Sequence, residues 1–360
     1  MRTPLTRRNV LFGLGALTVG VAAAKYLSKD ALSPLLSQDL HSLKSSSNAR
    51  VVWHPSYGMP WYSNGEKFIF EMLVPMTIGA HPVNILRYAA LSDELLQQGI
   101  ITKQDVELLR LIDPAILGEF HTPKYLQKVK RLAENPALSL INRDNPINKG
   151  LYDFYLAATE GTYIAAKIAL EKGNALNLSG GFHHAFKDHE AGFCFFNDVA
   201  GAIIRLRKQN VVNKVLIVDL DVHHGNGNAS YFQEGTNTCI FDMYQGDIYP
   251  SEKIPVEHQI VLEAGETDRG YLSKLESLSD VVSSFRPDMA FYLAGADPFE
   301  GDKLGGLDLT KKGLRCRDDF VLRLFQERNI PVAVTLAGGY SDLEDLVDIN
   351  RGTVESVLAT

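Results

Sequence analysis

Cysteine is scarce in this chain of 360 residues: Cys194, Cys239 and Cys316 are scattered, with no C-x-x-C pair among them. An odd, dispersed set builds neither a disulfide framework nor a thiolate zinc module. Any transition metal must therefore be held by histidine, aspartate and glutamate. A basic excess is also missing. Lys and Arg number 36 against 43 Asp and Glu, a formal charge of −7, and there is no long basic run. That removes the electrostatic footprint of a nucleic-acid binder, and no nucleic-acid partner is expected. The chain shows no internal repeat and no low-complexity tract. What is present, 45% hydrophobic residues with 29 Gly and 15 Pro, is ordinary globular composition with material for a large core.

The first residues differ from the rest. Met1 to Arg8 is basic, Val10 to Ala24 is apolar, and Ala22-Ala23-Ala24 has the small side chains of a processing site. This is the layout of an export signal. Thr6-Arg7-Arg8-Asn9-Val10-Leu11-Phe12 resembles the twin-arginine pattern, which would place the protein outside the cytoplasm, in the periplasm or beyond. An uncleaved membrane anchor and an ordinary buried helix are the other readings. The apolar run is shorter than the roughly 20 residues a membrane span needs, which weighs against the anchor. Any membrane contact is expected only through this segment. The expected layout is thus a signal-like or anchor segment over 1–26, a polar linker over 27–49 ending in Lys44-Ser45-Ser46-Ser47-Asn48, and one catalytic domain over 50–360.

From Arg50 onward, strand-like and helix-like segments alternate. Strands are predicted at Val51 to Trp53, Ala175 to Leu178, Val215 to Leu220, Thr238 to Met243, Ala290 to Ala294 and Val332 to Leu336. Helices are predicted at Asn84 to Gln98, Thr102 to Ile112, Pro123 to Ala133, Leu151 to Lys172, Asp198 to Gln209, Leu272 to Phe285 and Lys311 to Glu327. Such alternation predicts a single three-layer α/β domain, a mostly parallel sheet with helices on both faces. Ligands of such sheets bind beyond the carboxyl ends of the strands. Four clusters fall there: Gly180-Gly181-Phe182-His183-His184, Asp219 to Asn226, Gly295-Ala296-Asp297 and Gly338-Gly339-Tyr340.

The most informative of these follows the run Val215 to Val218. Asp219, Asp221 and His223 alternate along one side of an extended chain, so they are expected to point the same way. Carboxylates and an imidazole at the end of a buried strand need a counter-charge, and a metal is the leading candidate. Asp221, His223 and Asp297 would leave coordination positions open for water and substrate. Zinc is the default for such a set, with iron, cobalt or manganese also compatible. His183 and His184 are adjacent and must play different parts, one suited to moving a proton near neutral pH. Asp219 reads as a buried orienting carboxylate or the holder of a monovalent cation. Tyr340 could donate to the oxyanion of a tetrahedral intermediate, and Gly192-Phe193 could wall a slot for an apolar substrate arm. His54, His189, His224 and His258 read as structural.

Three long motifs carry a resemblance. Gly180-Gly181-Phe182-His183-His184-Ala185, Ala191-Gly192-Phe193-Cys194-Phe195-Phe196-Asn197-Asp198 and Val218-Asp219-Leu220-Asp221-Val222-His223-His224-Gly225-Asn226-Gly227 resemble the histone deacetylase superfamily, with its arginase/deacetylase-like fold. Phe241-Asp242-Met243-Tyr244, Ile248-Tyr249-Pro250 and Glu300 to Leu307 resemble its class IV branch most. The resemblance implies Asp221, His223 and Asp297 as zinc ligands, His184 as general base and acid, and His183 as its electrostatic partner. It implies Tyr340 as the carbonyl-polarising tyrosine and Gly192 with Phe193 as an acyl-lysine tunnel. Asp219 and Asp242 fall where the family binds structural potassium. Asn226 stands where most class I members have aspartate behind the second histidine, which alters its proton balance. The implied activity is metal-assisted hydrolysis of an acylated amine, with an acyl-lysine peptide or protein as substrate and acetyl or a longer acyl group. The alternatives are an amidohydrolase of acetylated polyamines or other small amines, and a catalytically inactive binding module. The export-like start departs from nuclear members of the superfamily.

Overall fold

The computed structural model describes residues 50–58, 85–109, 112–135, 138, 145–233 and 237–360. The signal-like segment and the linker, residues 1–49, lie outside these. Among the described residues no helix is long and apolar enough to cross a membrane.

Eight strands are described: β1 (Val51–Trp53), β2 (Val106–Leu108), β3 (Asn174–Asn177), β4 (Val215–Asp219), β5 (Thr238–Gln245), β6 (His258–Leu262), β7 (Met289–Leu293) and β8 (Val332–Thr335). All pair parallel, in the order β2-β1-β3-β8-β7-β4-β5-β6. Parallel strands buried on both sides read as continuous apolar runs, and each fully buried Val, Leu or Ile contributes about 1.5–3 kcal/mol. The strands divide their residues between two cores. Val215 and Ile217 of β4 face one core, with Met289 and Phe291 of β7; Leu216 and Val218 face the other, with Ala290 and Tyr292.

The first core is closed by α4 (Lys149–Lys172) and α5 (Asp198–Lys208), through Ala165, Ala169, Ile203 and Leu206. The second is closed mainly by α2 (Leu86–Gln97), α9 (Lys311–Glu327) and α10 (Leu343–Ala359). Also described are α1 (Pro55–Gly58), α3 (Pro123–Glu134), α6 (Asn226–Tyr231), α7 (Asp268–Leu275) and α8 (Leu278–Phe285). The result is the expected three-layer α/β architecture.

Several sequence expectations change in detail. The helix expected over Thr102 to Ile112 is a single 3-10 turn, Lys103–Asp105, followed by β2. Its start signal is real, since Thr102 and Asp105 form a reciprocal capping box. The branched Val106 and the parallel pairing of Val106 to Leu108 with Val51 to Trp53 then override helix continuation. The helix expected over Leu272 to Phe285 is two helices, α7 and α8, with Glu276 and Ser277 between them. Helix α10, strand β6 and the short α6 had no sequence expectation. The long α4 begins where Asn148 accepts a hydrogen bond from Leu151 N and stops at Gly173, whose φ is +94°.

Candidate metal centre and active site

The sheet order makes neighbours of β3, β8, β7 and β4, the four strands whose carboxyl ends carry the conspicuous clusters. Segments more than 150 residues apart in sequence therefore meet at one rim, as His183 and Tyr340 do in lining one cavity.

Strand β4 ends at Asp219, so the two-residue alternation expected for Asp219, Asp221 and His223 is not that of a continuous strand. Asp219 turns to the first tandem histidine. Asp221 and His223 converge instead with Asp297, all three buried, with one ligand atom from each within 4.8 Å of the others. His223 Nδ1 lies 3.0 Å from Asp221 Oδ1 and 3.2 Å from Asp297 Oδ2. The remaining carboxylate oxygens are engaged by backbone: Gly338 N donates to Asp221 Oδ2 at 2.7 Å and Val222 N to Asp297 Oδ1 at 2.9 Å.

Asp297 Oδ2, by contrast, is buried with no hydrogen-bond partner. The contact from His223 lacks the alignment of a hydrogen bond. A Cβ built on Gly338 would fall 2.2 Å from Asp297 Oδ2 and 2.4 Å from Asp221 Oδ2, so only glycine leaves the space between the two carboxylates open. Burial pulls the proton affinity of His223 down, but its contacts with Asp221 and Asp297 prevail and push its pKa up to about 10. The unpartnered carboxylate oxygen, the space that Gly338 keeps open and this nitrogen-and-oxygen donor set fit a divalent transition metal.

The tandem histidines follow Gly180 and Gly181 in the loop after β3. Asp198, buried at the start of α5, fixes that loop by accepting from Gly181 N at 2.9 Å and Phe182 N at 2.8 Å. His183 Nδ1 donates to Asp219 Oδ2 at 2.8 Å, and His184 Nδ1 donates to Asn226 Oδ1 at 2.7 Å. The two partners drive the rings apart. For His183, burial lowers the pKa, but Asp219 and Asp221 outweigh it and raise the value to about 9. For His184, burial and the neighbouring His183 and His223 hold it well below its ordinary value, and the amide of Asn226 offsets little. The surroundings thus favour the charged form of one ring and the neutral form of its neighbour. His184 Nε2 has no hydrogen-bond partner among the described residues and is the atom left to take a proton.

Tyr340 is buried, and burial with Asp221 and Asp297 nearby raises its phenol well above the ordinary value, keeping it a donor. Its ring stands 5.8 Å from that of His223, edge to face. Across the mouth, Ala191 and Cys194 exchange backbone hydrogen bonds around a two-residue turn. Both central residues have positive φ, Gly192 at +50° and Phe193 at +63°. For a phenylalanine this is strained by about 1–3 kcal/mol, and it presents the ring 6.2 Å from that of Tyr340. A Cβ on Gly192 would fall 2.2 Å from His184 Cδ2. The cavity between these groups, about 40 Å³, is lined by Phe182, His183, His184, Phe193, Asp221 and Tyr340, among others.

Two residues near the site, Arg87 and His121, went unremarked in the sequence, and a third, Tyr249, was cited only as part of a motif with no role given. Arg87 of α2 is buried beside the loop bearing Tyr340, donating to Ala337 O and, at 3.5 Å, to Gly339 O. A lone arginine in an otherwise apolar helix start was the available signal. Tyr249 packs edge-on to His184, ring centres 4.9 Å apart, and narrows the mouth opposite Gly192. His121 accepts from Asn197 N at 3.2 Å and holds the carbonyl of Lys187 at 3.3 Å, pinning the segment that carries Gly192 and Phe193. Of the histidines read as structural, His224 is clamped between Asp242 Oδ2 at 2.7 Å and Ile254 N at 3.1 Å.

Burial depresses His121 from 6.5 to about 4. The unfolded chain therefore takes up this proton first, and stability contributed by the neutral ring is complete above pH 6.5 and lost as pH falls toward 4. That difference amounts to about 3 kcal/mol at most. Denaturant midpoints measured from pH 7 to pH 4 should fall less steeply in His121→Gln than in the parent. Parallel slopes would remove His121 from the acid response.

A sequence profile of the histone deacetylase domain matches residues 81–356. The chain belongs to the histone deacetylase family. An uncharacterised protein of Picosynechococcus sp. is 34% identical over 299 residues, covering 82% of this chain and 94% of its own. Histone deacetylase 2 of Arabidopsis thaliana is 33% identical over 274 residues, 72% of this chain and 70% of the relative. The crystal structure of the HDA15 HD domain shares the fold with a TM-score of 0.70 at 22% identity, over 87% of this chain and 91% of that one. Membership in the histone deacetylase family assigns the activity class, hydrolysis of an acyl amide.

Proposed function

We propose that this histone deacetylase-family protein is a zinc-dependent lysine deacylase of the class IV type. The observation that carries the reading is the meeting of an acid–imidazole cage with two histidines of opposed proton affinity. A divalent ion held by Asp221, His223 and Asp297 would polarise the acyl carbonyl and acidify a water. His184, neutral and with Nε2 free, takes a proton from the attacking water and returns it to the departing amine. His183, kept cationic against Asp219, supplies fixed positive charge beside the developing anion. Tyr340 donates its phenol proton in a hydrogen bond to the carbonyl oxygen as charge gathers there. Gly192, Phe193 and Tyr249 form the aromatic throat that would grip an aliphatic lysine stem.

The cavity lined by Phe182, His183, His184, Phe193 and Tyr340 has room for at least an acetyl group. Asp242 Oδ1 is buried with no hydrogen-bond partner beside the fully buried Asp219, a pairing that a structural potassium ion would relieve. An export-like start favours an acylated amine outside the cytoplasm over a chromatin substrate.

Zinc-reconstituted enzyme should turn over an acetyl-lysine peptide faster than an acetylated polyamine. Tyr340→Phe should keep stoichiometric zinc and lose about 10²–10³ in kcat, the usual cost of one oxyanion donor. Preference for the polyamine would overturn the substrate class. Undiminished turnover in the phenylalanine variant would remove Tyr340 from the chemistry.

A further inference from the structure

Strands β4 and β7 pair in register as far as Asp219 and Leu293, and the bond from Leu220 N to Leu293 O, at 3.2 Å, is the last rung. Beyond it the two chains part around the cage, Leu220 leading directly into Asp221 and Gly295 into Asp297 two residues on. Their carbonyls are left inside the protein with no ladder to accept into, a cost if nothing donates to them. One side chain collects both. Arg317 of α9, wholly buried, donates through Nη1 to Gly295 O at 2.6 Å and to Leu220 O at 3.4 Å.

The guanidinium is itself held. Asp318 lies 2.9 Å from its Nε and 2.8 Å from its Nη2, and Asp318 in turn accepts from Tyr292 at 2.5 Å and Thr353 at 2.7 Å. A buried ion pair adds little to stability compared with apolar residues of the same volume, because both charges must leave water. Its value here is geometric. A planar fork fixed at one end by a carboxylate can set the distance between two diverging backbones, as a flexible ammonium cannot.

We infer that Arg317 is a positioning residue for the metal cage, spacing Asp221 from Asp297 through the carbonyls that precede them. The inference rests on reading Asp221, His223 and Asp297 as the metal ligands. Full-length apoprotein of the parent, Arg317→Lys, Arg317→Met and the core control Val354→Ala would be titrated with zinc against a chromogenic chelator. Circular dichroism would verify the fold of each. Val354 is fully buried on α10, and its aliphatic side chain can donate no hydrogen bond to the backbones beside the cage, so its truncation reports general destabilisation. The expected result is folded Arg317→Lys with zinc affinity weakened about 10–100-fold, the range for residues that orient metal ligands. Its KM should be unchanged and its kcat restored at saturating zinc; Arg317→Met should be weaker still, and Val354→Ala should match the parent.

Parent-like zinc affinity in the lysine variant, equal weakening in Val354→Ala, or failure of both Arg317 variants to fold would overturn the positioning role. A parent that takes up no zinc would overturn the cage reading with it, which separates the two failures.

Discussion

Asp297→Asn is expected to abolish metal retention and leave turnover at background. The side chain is fully buried, with Oδ1 accepting from Val222 N and Oδ2 facing the cage without a partner. An amide has one acceptor oxygen for these two duties. Either it keeps the backbone bond and aims N–H groups at the cation, or it turns and leaves Val222 N without an acceptor. The charge lost is also one of two that match a divalent ion. The effect should therefore exceed the roughly 10–100-fold loss of affinity typical of residues that only orient ligands. Elemental analysis and a peptide deacylation assay would be run together, with chelator-treated parent alongside. Zinc should restore the chelated parent and leave the variant inactive. Stoichiometric metal with parental turnover in Asp297→Asn would sink the cage.

His184→Ala should lower kcat by about 10²–10⁴, the span associated with a positioned general acid–base group, while binding substrate and metal as before. The replacement of greater diagnostic value is Asn226→Asp. In the parent, burial and neighbouring imidazoles hold His184 well below 6.5, so the base is already neutral throughout the neutral range. The acid limb of kcat/KM should accordingly lie below pH 6.5. A carboxylate at 226, in contact with Nδ1, favours the imidazolium and moves that limb upward. His183 behaves in the opposite sense. Its value is raised to about 9, so the stability it lends is complete below pH 6.5 and lost as pH rises through about 9. An acid limb that stays put in Asn226→Asp would mean another group is the base.

Most of the fold was legible because its central strands are short apolar runs between glycine turns, and β4, β7 and β8 were read from that signal. The edges were not. Strand β6 alternates weakly, with His258 and Gln259 exposed, and β2 hides behind a capping box that promises a helix. The residues of the site were readable because acids and histidines at buried strand ends are chemically conspicuous. Their arrangement was less so: a period of two treated Asp219, Asp221 and His223 alike, but the strand ends at Asp219, which pairs with His183 while the other two meet Asp297. Arg87, His121 and Arg317 escaped notice, and Asp302 was cited without a role, for a common reason. Each acts by bonding backbone groups, as Asp302 does to Tyr340 N at 2.7 Å, and such partners leave no trace in residue spacing.

Strand β8 lies between β3 and β7 and is the piece that joins β2-β1-β3 to β7-β4-β5-β6. Among the described strands it is also the last in sequence order. Until residues 332–340 leave the ribosome, the tandem histidines and the Asp221 cluster belong to two unconnected half-sheets. Contacts so distant in sequence form late. A chain cut before residue 332 would thus lack the strand that brings the tandem histidines and the Asp221 cluster to one rim, and with it the proposed metal pocket.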